Sequence, residues 1–160
     1  MWVDYGYPWS DILTCWKLHA QPALARPIAQ WLRASPAIAA AVAQADALVP
    51  IPLSAQRLRE RGFNQAAQLA RLLAQQKCLL TALQRPQETR SQRGLSRAAR
   101  LHNLHRAFAV PTPALVQGRH VLLVDDVLTT GATLRGASQA LLHAGAAAIT
   151  VLAVARTPAA

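Results

Sequence analysis

Acidic side chains are scarce. Seven Asp and Glu stand against 17 Lys and Arg, a formal net charge of +10 on 160 residues. So few acids leave a surface that favours polyanions: nucleic acid, nucleotides, polyphosphates or anionic lipid. On charge alone, an arginine-biased but merely solvated surface accounts for the balance equally well. Cysteine is nearly absent: only Cys15 and Cys78, with no C-x-x-C pair, which excludes the usual zinc-ligand spacing and indicates a reducing, cytosolic compartment. The opening "MWVDYGYPWS" has no basic stretch ahead of an apolar run, so no secretory signal peptide is expected there. Between Arg135 and Arg156 there is no charged residue at all, a length that raises the question of a membrane span. Ser138, Gln139, His143 and Gly145 interrupt that stretch, and its pattern changes from helix-like to strand-like at Gly145. A helix followed by a buried strand explains it, so no span is expected. Internal repeats and low-complexity linkers are also missing, as are the G-x-x-x-x-G-K-[ST] and G-x-G-x-x-G phosphate loops.

What is there is a hydrophobic content of 52%, enough for one folded domain with one core. Periodicity predicts helices over 10–19 and 22–34, split near Pro22 and stopped before Pro36, and a third in "PAIAAAVAQA" (36–45). A short strand (47–52) runs into a proline-marked loop, and a helix follows over 64–76, capped by Asn64 after Gly62. Strands are expected at 79–85, 107–110, 120–127 and 147–155, with a helix over 131–144. Alternating strands and helices give the class: α/β, with a mainly parallel sheet.

The most informative stretch is "VLLVDDVLTTGATL" (121–134). Val121 to Val124 are apolar on both alternating faces, as a central parallel strand covered by helices on both sides requires. Asp125 and Asp126 then fall at its carboxyl end, where open α/β sheets bind ligands. Thr129, Thr130, Gly131, Ala132 and Thr133 lead into a helix. Small residues allow close backbone approach, Gly131 can take a positive φ, and successive N–H groups at a helix start form an anion nest. The loop suits a phosphate, while the carboxylates would repel one. A phosphorylated sugar satisfies both, with its phosphate over the loop and its hydroxyls over the acids. Helix capping accounts for one acid and one threonine, but not for paired acids with three threonines around a glycine.

The stretch resembles the 5-phosphoribosyl 1-pyrophosphate (PRPP) motif of type I phosphoribosyltransferases. Together with "VPIPLSAQRLRERGFNQAAQLA" (49–70) and "RSQRGLSRAARLHNLHRAF" (90–108), it is similar to the ComF family, also called competence protein F-like or GntX-like. The similarity runs from about residue 10 to Arg156. It implies a type I phosphoribosyltransferase-like core over 46–160 with a small N-terminal helical cap over 1–45, in a single cytoplasmic domain. By the same resemblance Asp125 and Asp126 bind the ribose 2′- and 3′-hydroxyls, partly through magnesium-bound water, and Thr129 to Thr133 hold the 5′-phosphate. The loop after the first strand carries Arg57, Arg59 and Arg61, of which Arg61 is the candidate for pyrophosphate and Arg59 reads as a solvated helix residue.

By the same resemblance, residues 85–106 match the flexible hood loop that folds over PRPP in type I enzymes, with Arg85, Arg90, Gln92, Arg100 and Asn103 as its candidate ligand contacts. The family usually begins with a cysteine-rich zinc module; this sequence has none, as a shortened member would, or one whose start lies further upstream. Thr129 stands where 6-oxopurine enzymes of the superfamily carry an aspartate, so the resemblance assigns no acceptor. It carries two functional implications: transfer of phosphoribosyl with pyrophosphate release, or a non-catalytic, PRPP-responsive single-stranded DNA-binding role in competence and DNA uptake, with a protein of the competence machinery as partner. Six of the eight aromatics fall within the first 31 residues, where packing of the N-terminal helices is the expected use and stacking on a base the alternative.

Overall fold

A computed structural model describes residues 3–18, 21–85 and 107–157. Its sheet has four strands in the order β1-β4-β3-β2, and all three neighbouring pairs are parallel. The strands are β1 (Val3–Asp4), β2 (Ala47–Pro50), β3 (His120–Leu128) and β4 (Ala148–Arg156). Six α-helices accompany them among the described residues: α1 (Trp9–Leu18), α2 (Ala25–Arg33), α3 (Pro36–Gln44), α4 (Ala55–Arg61), α5 (Gln65–Ala74) and α6 (Ala132–His143). The α/β class expected from the sequence is therefore the observed one.

β3 lies inside the sheet, and its alternation sorts the core into two layers. Leu122 and Val124 join Leu48 of β2 against Leu13 and Trp16 of α1, Ile28 and Leu32 of α2, and Leu69 of α5. Val121 and Leu123 join Val49 against Leu134, Ala137 and Leu141 of α6. A strand apolar on both faces needs cover on both, and that cover leaves only its carboxyl end open. Register is pinned at the other end: Asp46 accepts the His120 N–H at 2.8 Å through its carboxylate and donates its own N–H to the His120 carbonyl at 2.8 Å.

Several elements differ from expectation. Residues 79–85 are not a strand. After a 3-10 turn (Gln75–Lys77), Cys78 makes one parallel bridge to Leu48, and Gln84 makes one antiparallel bridge to Ala109. Ala82 and Leu83 between them are buried in the second layer. An apolar run that packs from a turn has the same sequence signature as a short strand. Residues 107–110 likewise contribute only the Ala109 bridge. The segment 22–34 opens with a 3-10 turn (Pro22–Leu24) before α2 begins at Ala25. Two elements were not foreseen. β1 pairs Val3 with Ala155 and Asp4 with Arg156. α4 is started by the Ser54 hydroxyl, which accepts the Arg57 N–H at 3.3 Å, and stopped by Gly62 at φ 76°, whose N–H reaches the Leu58 carbonyl at 2.8 Å. No described helix is long and apolar enough to cross a membrane.

One cation ties the second strand's approach together. The Lys77 ammonium donates to the carbonyls of Val42, Ala43 and Ala45 at 3.1, 3.0 and 2.8 Å, closing the exposed end of α3 just before β2. Charge at a helix C-terminus and three satisfied carbonyls stabilise that end. Lys77→Met should lower the free energy of unfolding by about 1–2 kcal/mol, read as a shift in urea midpoint. An unchanged midpoint would show that the ammonium does not hold α3.

Candidate functional site

The carboxyl ends of β2, β3 and β4 open onto a cavity of about 310 Å³. Its walls are placed by short, specific local structures. Past β2, the Ile51 N–H continues the ladder to the Val124 carbonyl at 2.8 Å, and Asn64 ties the next helix to that turn. The Asn64 side chain donates to the Ile51 carbonyl at 3.0 Å and accepts the Ala67 N–H at 3.2 Å, so α5 starts at the cavity with Gln65 and Ala66 in its wall. Past β3, Gly131 takes φ 72° and turns the chain into α6. A Cβ there would meet Leu128 and Arg135 at 3.5 Å or more, so the backbone angle, rather than space, is what asks for glycine. The Thr130 hydroxyl accepts the Ala132 N–H at 3.4 Å, and Arg135 donates back to the Thr130 carbonyl at 3.0 Å. Past β1 and β4, Tyr5 donates its N–H to the Arg156 carbonyl at 2.7 Å and Thr157 to the Leu128 carbonyl at 2.9 Å, which brings both to the cavity rim.

Asp125 and Asp126 both line the cavity. Burial pushes the Asp125 carboxyl up to about 7; the Asp126 charge adds to the rise, while the Asp126 N–H at 2.8 Å and the Lys17 ammonium oppose it. Lys17 of α1 pairs with Asp126 at 3.0 Å, with 17% and 14% of the two side chains exposed. Thr129 and Thr133 line the same cavity, and Thr130, Gly131 and Ala132 complete the turn between them. Arg61 and Arg85 also lie in the wall, joined by Arg57, while the Arg85 guanidinium rests over the Phe108 ring at 5.7 Å from its centroid. Arg90, Gln92, Arg100 and Asn103 lie outside the described residues.

Gln65 is 1% exposed, and its Nε2 has no hydrogen-bond partner; its Oε1 accepts from Arg61 at 3.5 Å. A buried amide donor left open in a cavity wall is costly in the free protein, and a ligand oxygen would satisfy it.

The family model described as "Phosphoribosyl transferase domain" matches residues 18–160. The chain belongs to the phosphoribosyltransferase family. Within that family it falls with the ComF proteins. It is 42% identical over 115 residues to the DNA utilization protein YhgH of Escherichia coli (strain K12), covering 70% of this chain and 50% of that protein. It is 38% identical over 115 residues to Competence protein F of Haemophilus influenzae, covering 69% and 50%. With Competence protein ComFC of Bacillus subtilis it shares 38% identity over 102 residues, covering 63% and 40%. The chain thus spans about half the length of the curated relatives it matches.

Three polar residues at this cavity escaped sequence reasoning, Lys17, Gln65 as a wall residue and Thr157, and Tyr5 was weighed only as one of the N-terminal aromatics. Lys17 had a signal, being the only Lys or Arg in the first 25 residues. The aromatic cluster mostly packs. Trp16 is fully buried, and Trp9 lies against Trp31 at 4.6 Å between centroids. Only Tyr5 among the described aromatics lines the cavity.

The raised Asp125 carboxyl makes stability depend on pH with a definite sign. Between its usual 3.8 and about 7, the folded protein keeps a proton that the unfolded chain gives up, so stability falls as pH rises through that window. Asp125→Asn removes the term and keeps an acceptor for the Asp126 N–H. The variant should gain up to about 4 kcal/mol over the parent at pH 8, and the gain should vanish near pH 4. Equal gains at both pH values, measured by thermal melts, would contradict the assignment.

Proposed function

We propose that the cavity binds PRPP and that the protein transfers its phosphoribosyl group to an acceptor with release of pyrophosphate. The observation that carries this reading is one cavity in a phosphoribosyltransferase domain that joins an acid pair, a glycine-turned threonine loop and three arginines. The Thr129–Thr133 loop suits the 5′-phosphate, and Asp125 and Asp126 suit the ribose hydroxyls. Arg57, Arg61 and Arg85 offer guanidinium forks to the pyrophosphate, with the open Nε2 of Gln65 beside them. In the reaction, pyrophosphate leaves ribose C1 with the bonding electron pair, and an acceptor lone pair forms the new bond. The chain supplies position and charge rather than a nucleophile.

Magnesium fits the donor set. Asp125 and Asp126 are hard oxygen ligands, and a cation, the Lys17 ammonium, already touches one of them. Among the described residues no group of three His, Cys, Asp or Glu could hold a metal alone, so the pair would share the ion with ligand oxygens and water. When bound, the ion would neutralise charge on the ligand's phosphates. A cytoplasmic location and a single domain, residues 1–45 capping 46–160, go with this reading; the free thiols of Cys15 and Cys78 support the first.

PRPP with magnesium should raise the melting temperature, because it binds only the folded site. Asp125→Asn with Asp126→Asn should abolish that shift in a folded protein. Pyrophosphate release with PRPP and a panel of bases tests turnover; a parent protein with no PRPP-dependent shift would refute the reading.

The alternative is a non-catalytic, PRPP-responsive single-stranded DNA-binding protein of competence and DNA uptake, acting with a competence-machinery partner; relatives named for DNA utilization and competence accord with its competence setting. The net charge of +10 is compatible with it. Affinity for a fluorescent oligonucleotide should then fall with salt by about 0.7 log units per log unit for each phosphate contact. Salt-independent affinity, or none at low salt, would remove this role.

A further inference from the structure

We propose that Lys17 is a ligand-contacting residue whose ammonium leaves Asp126 for a phosphate of the bound ligand when a divalent cation takes the acid pair. The inference rests on the PRPP reading above. Lys17 lies just ahead of the matched domain, which begins at residue 18, so it is a feature that the shared domain does not describe.

The backbone that carries Lys17 is fixed. Leu13 and Trp16 of α1 are fully buried, and the Trp16 Nε1 donates to the Gln68 Oε1 at 3.2 Å. The responsive part is the four-carbon side chain, a compact point charge on a flexible stem. In the free protein its ammonium sits 3.0 Å from an Asp126 oxygen, where it offsets part of the charge of two adjacent acids. A metal ion approaching that oxygen meets a positive charge in a site already lined by Arg57, Arg61 and Arg85. Holding both close to the same oxygen is unfavourable, since like charges repel strongly at a partly buried site. Once displaced, a mostly buried ammonium needs another anion, because leaving it unpaired is costly. A phosphate arriving with the metal supplies one within the same cavity. Lys17 thereby serves as the resident cation of the acid pair and as a donor to the ligand, and α1 becomes a wall of the site.

A purely structural ion pair that docks α1 makes a different prediction, and two probes separate them. The full chain carrying Lys17→Met is titrated with PRPP in magnesium and, separately, with Mn2+ alone, followed by the loss of its free-ion resonance. The proposal expects PRPP affinity to fall by at least about tenfold, while Mn2+ binds the variant at least as tightly as the parent. Lys17→Arg, which keeps the charge, should recover PRPP affinity to within about threefold of the parent. PRPP affinity unchanged in Lys17→Met would overturn the proposal and leave the PRPP reading intact. Joint loss of Mn2+ and PRPP would overturn it in favour of a structural pair, and a parent that takes up no Mn2+ would overturn the exchange. A parent that binds no PRPP would sink the PRPP reading first, and this one with it.

Discussion

Two carboxylates side by side at the end of a covered strand are the constraint around which this molecule is arranged. Asp125 and Asp126 follow four aliphatics that must be buried on both faces of the sheet. The acids therefore emerge where the cover stops, half in the interior and half in the cavity. Burial, with the charge of Asp126 adding to it, pushes the Asp125 carboxyl up to about 7, and Lys17 pairs with Asp126. An apolar site would have no need of that ammonium, and a solvated pair would not have needed it either. One ammonium beside two carboxylates leaves the pair one counter-charge short, which suits a further cation.

Two of the helices at the cavity, α5 and α6, begin by related devices that differ in their reserve. Asn64 uses its side chain twice, on the Ile51 carbonyl and the Ala67 N–H, and so fixes the start of α5 rigidly. Gly131 starts α6 by a backbone turn, with only a long contact from the Thr130 hydroxyl. One wall is thus pre-formed by side-chain bonding, and the other leaves most of its N–H groups available to an anion. Capping and anion binding draw on the same donors, and at α6 fewer of them are spent on side-chain caps.

The sequence made the centre legible and the periphery less so, for reasons specific to each residue. "VLLVDD" reads correctly because a strand buried on both faces has no polar alternation to confuse it. Gly131 and Asn64 read correctly because a positive φ and a capping side chain are local requirements. The stretch 79–85 misled because Ala82 and Leu83 are buried from a turn, and burial alone leaves the same trace as a strand. α4 was passed over because its seven residues bury none of their side chains, so no apolar stripe marks it. Lys17 and Tyr5 reach the site only through the folding of α1 and β1 against distant strands, which no spacing rule encodes. Arg90, Gln92, Arg100 and Asn103 rest on family resemblance alone.

The open amide of Gln65 bears on how this protein would respond to selection in the laboratory. A buried donor with nothing to bond is a standing destabilisation of the free protein, and methionine or leucine of similar bulk would relieve it. Directed evolution for heat resistance, run without ligand, should therefore be drawn to position 65 and would discard a polar group of the cavity wall in exchange for a higher melting point. The same library screened in the presence of ligand would see the opposite gradient. Robustness and recognition meet here in a single side chain.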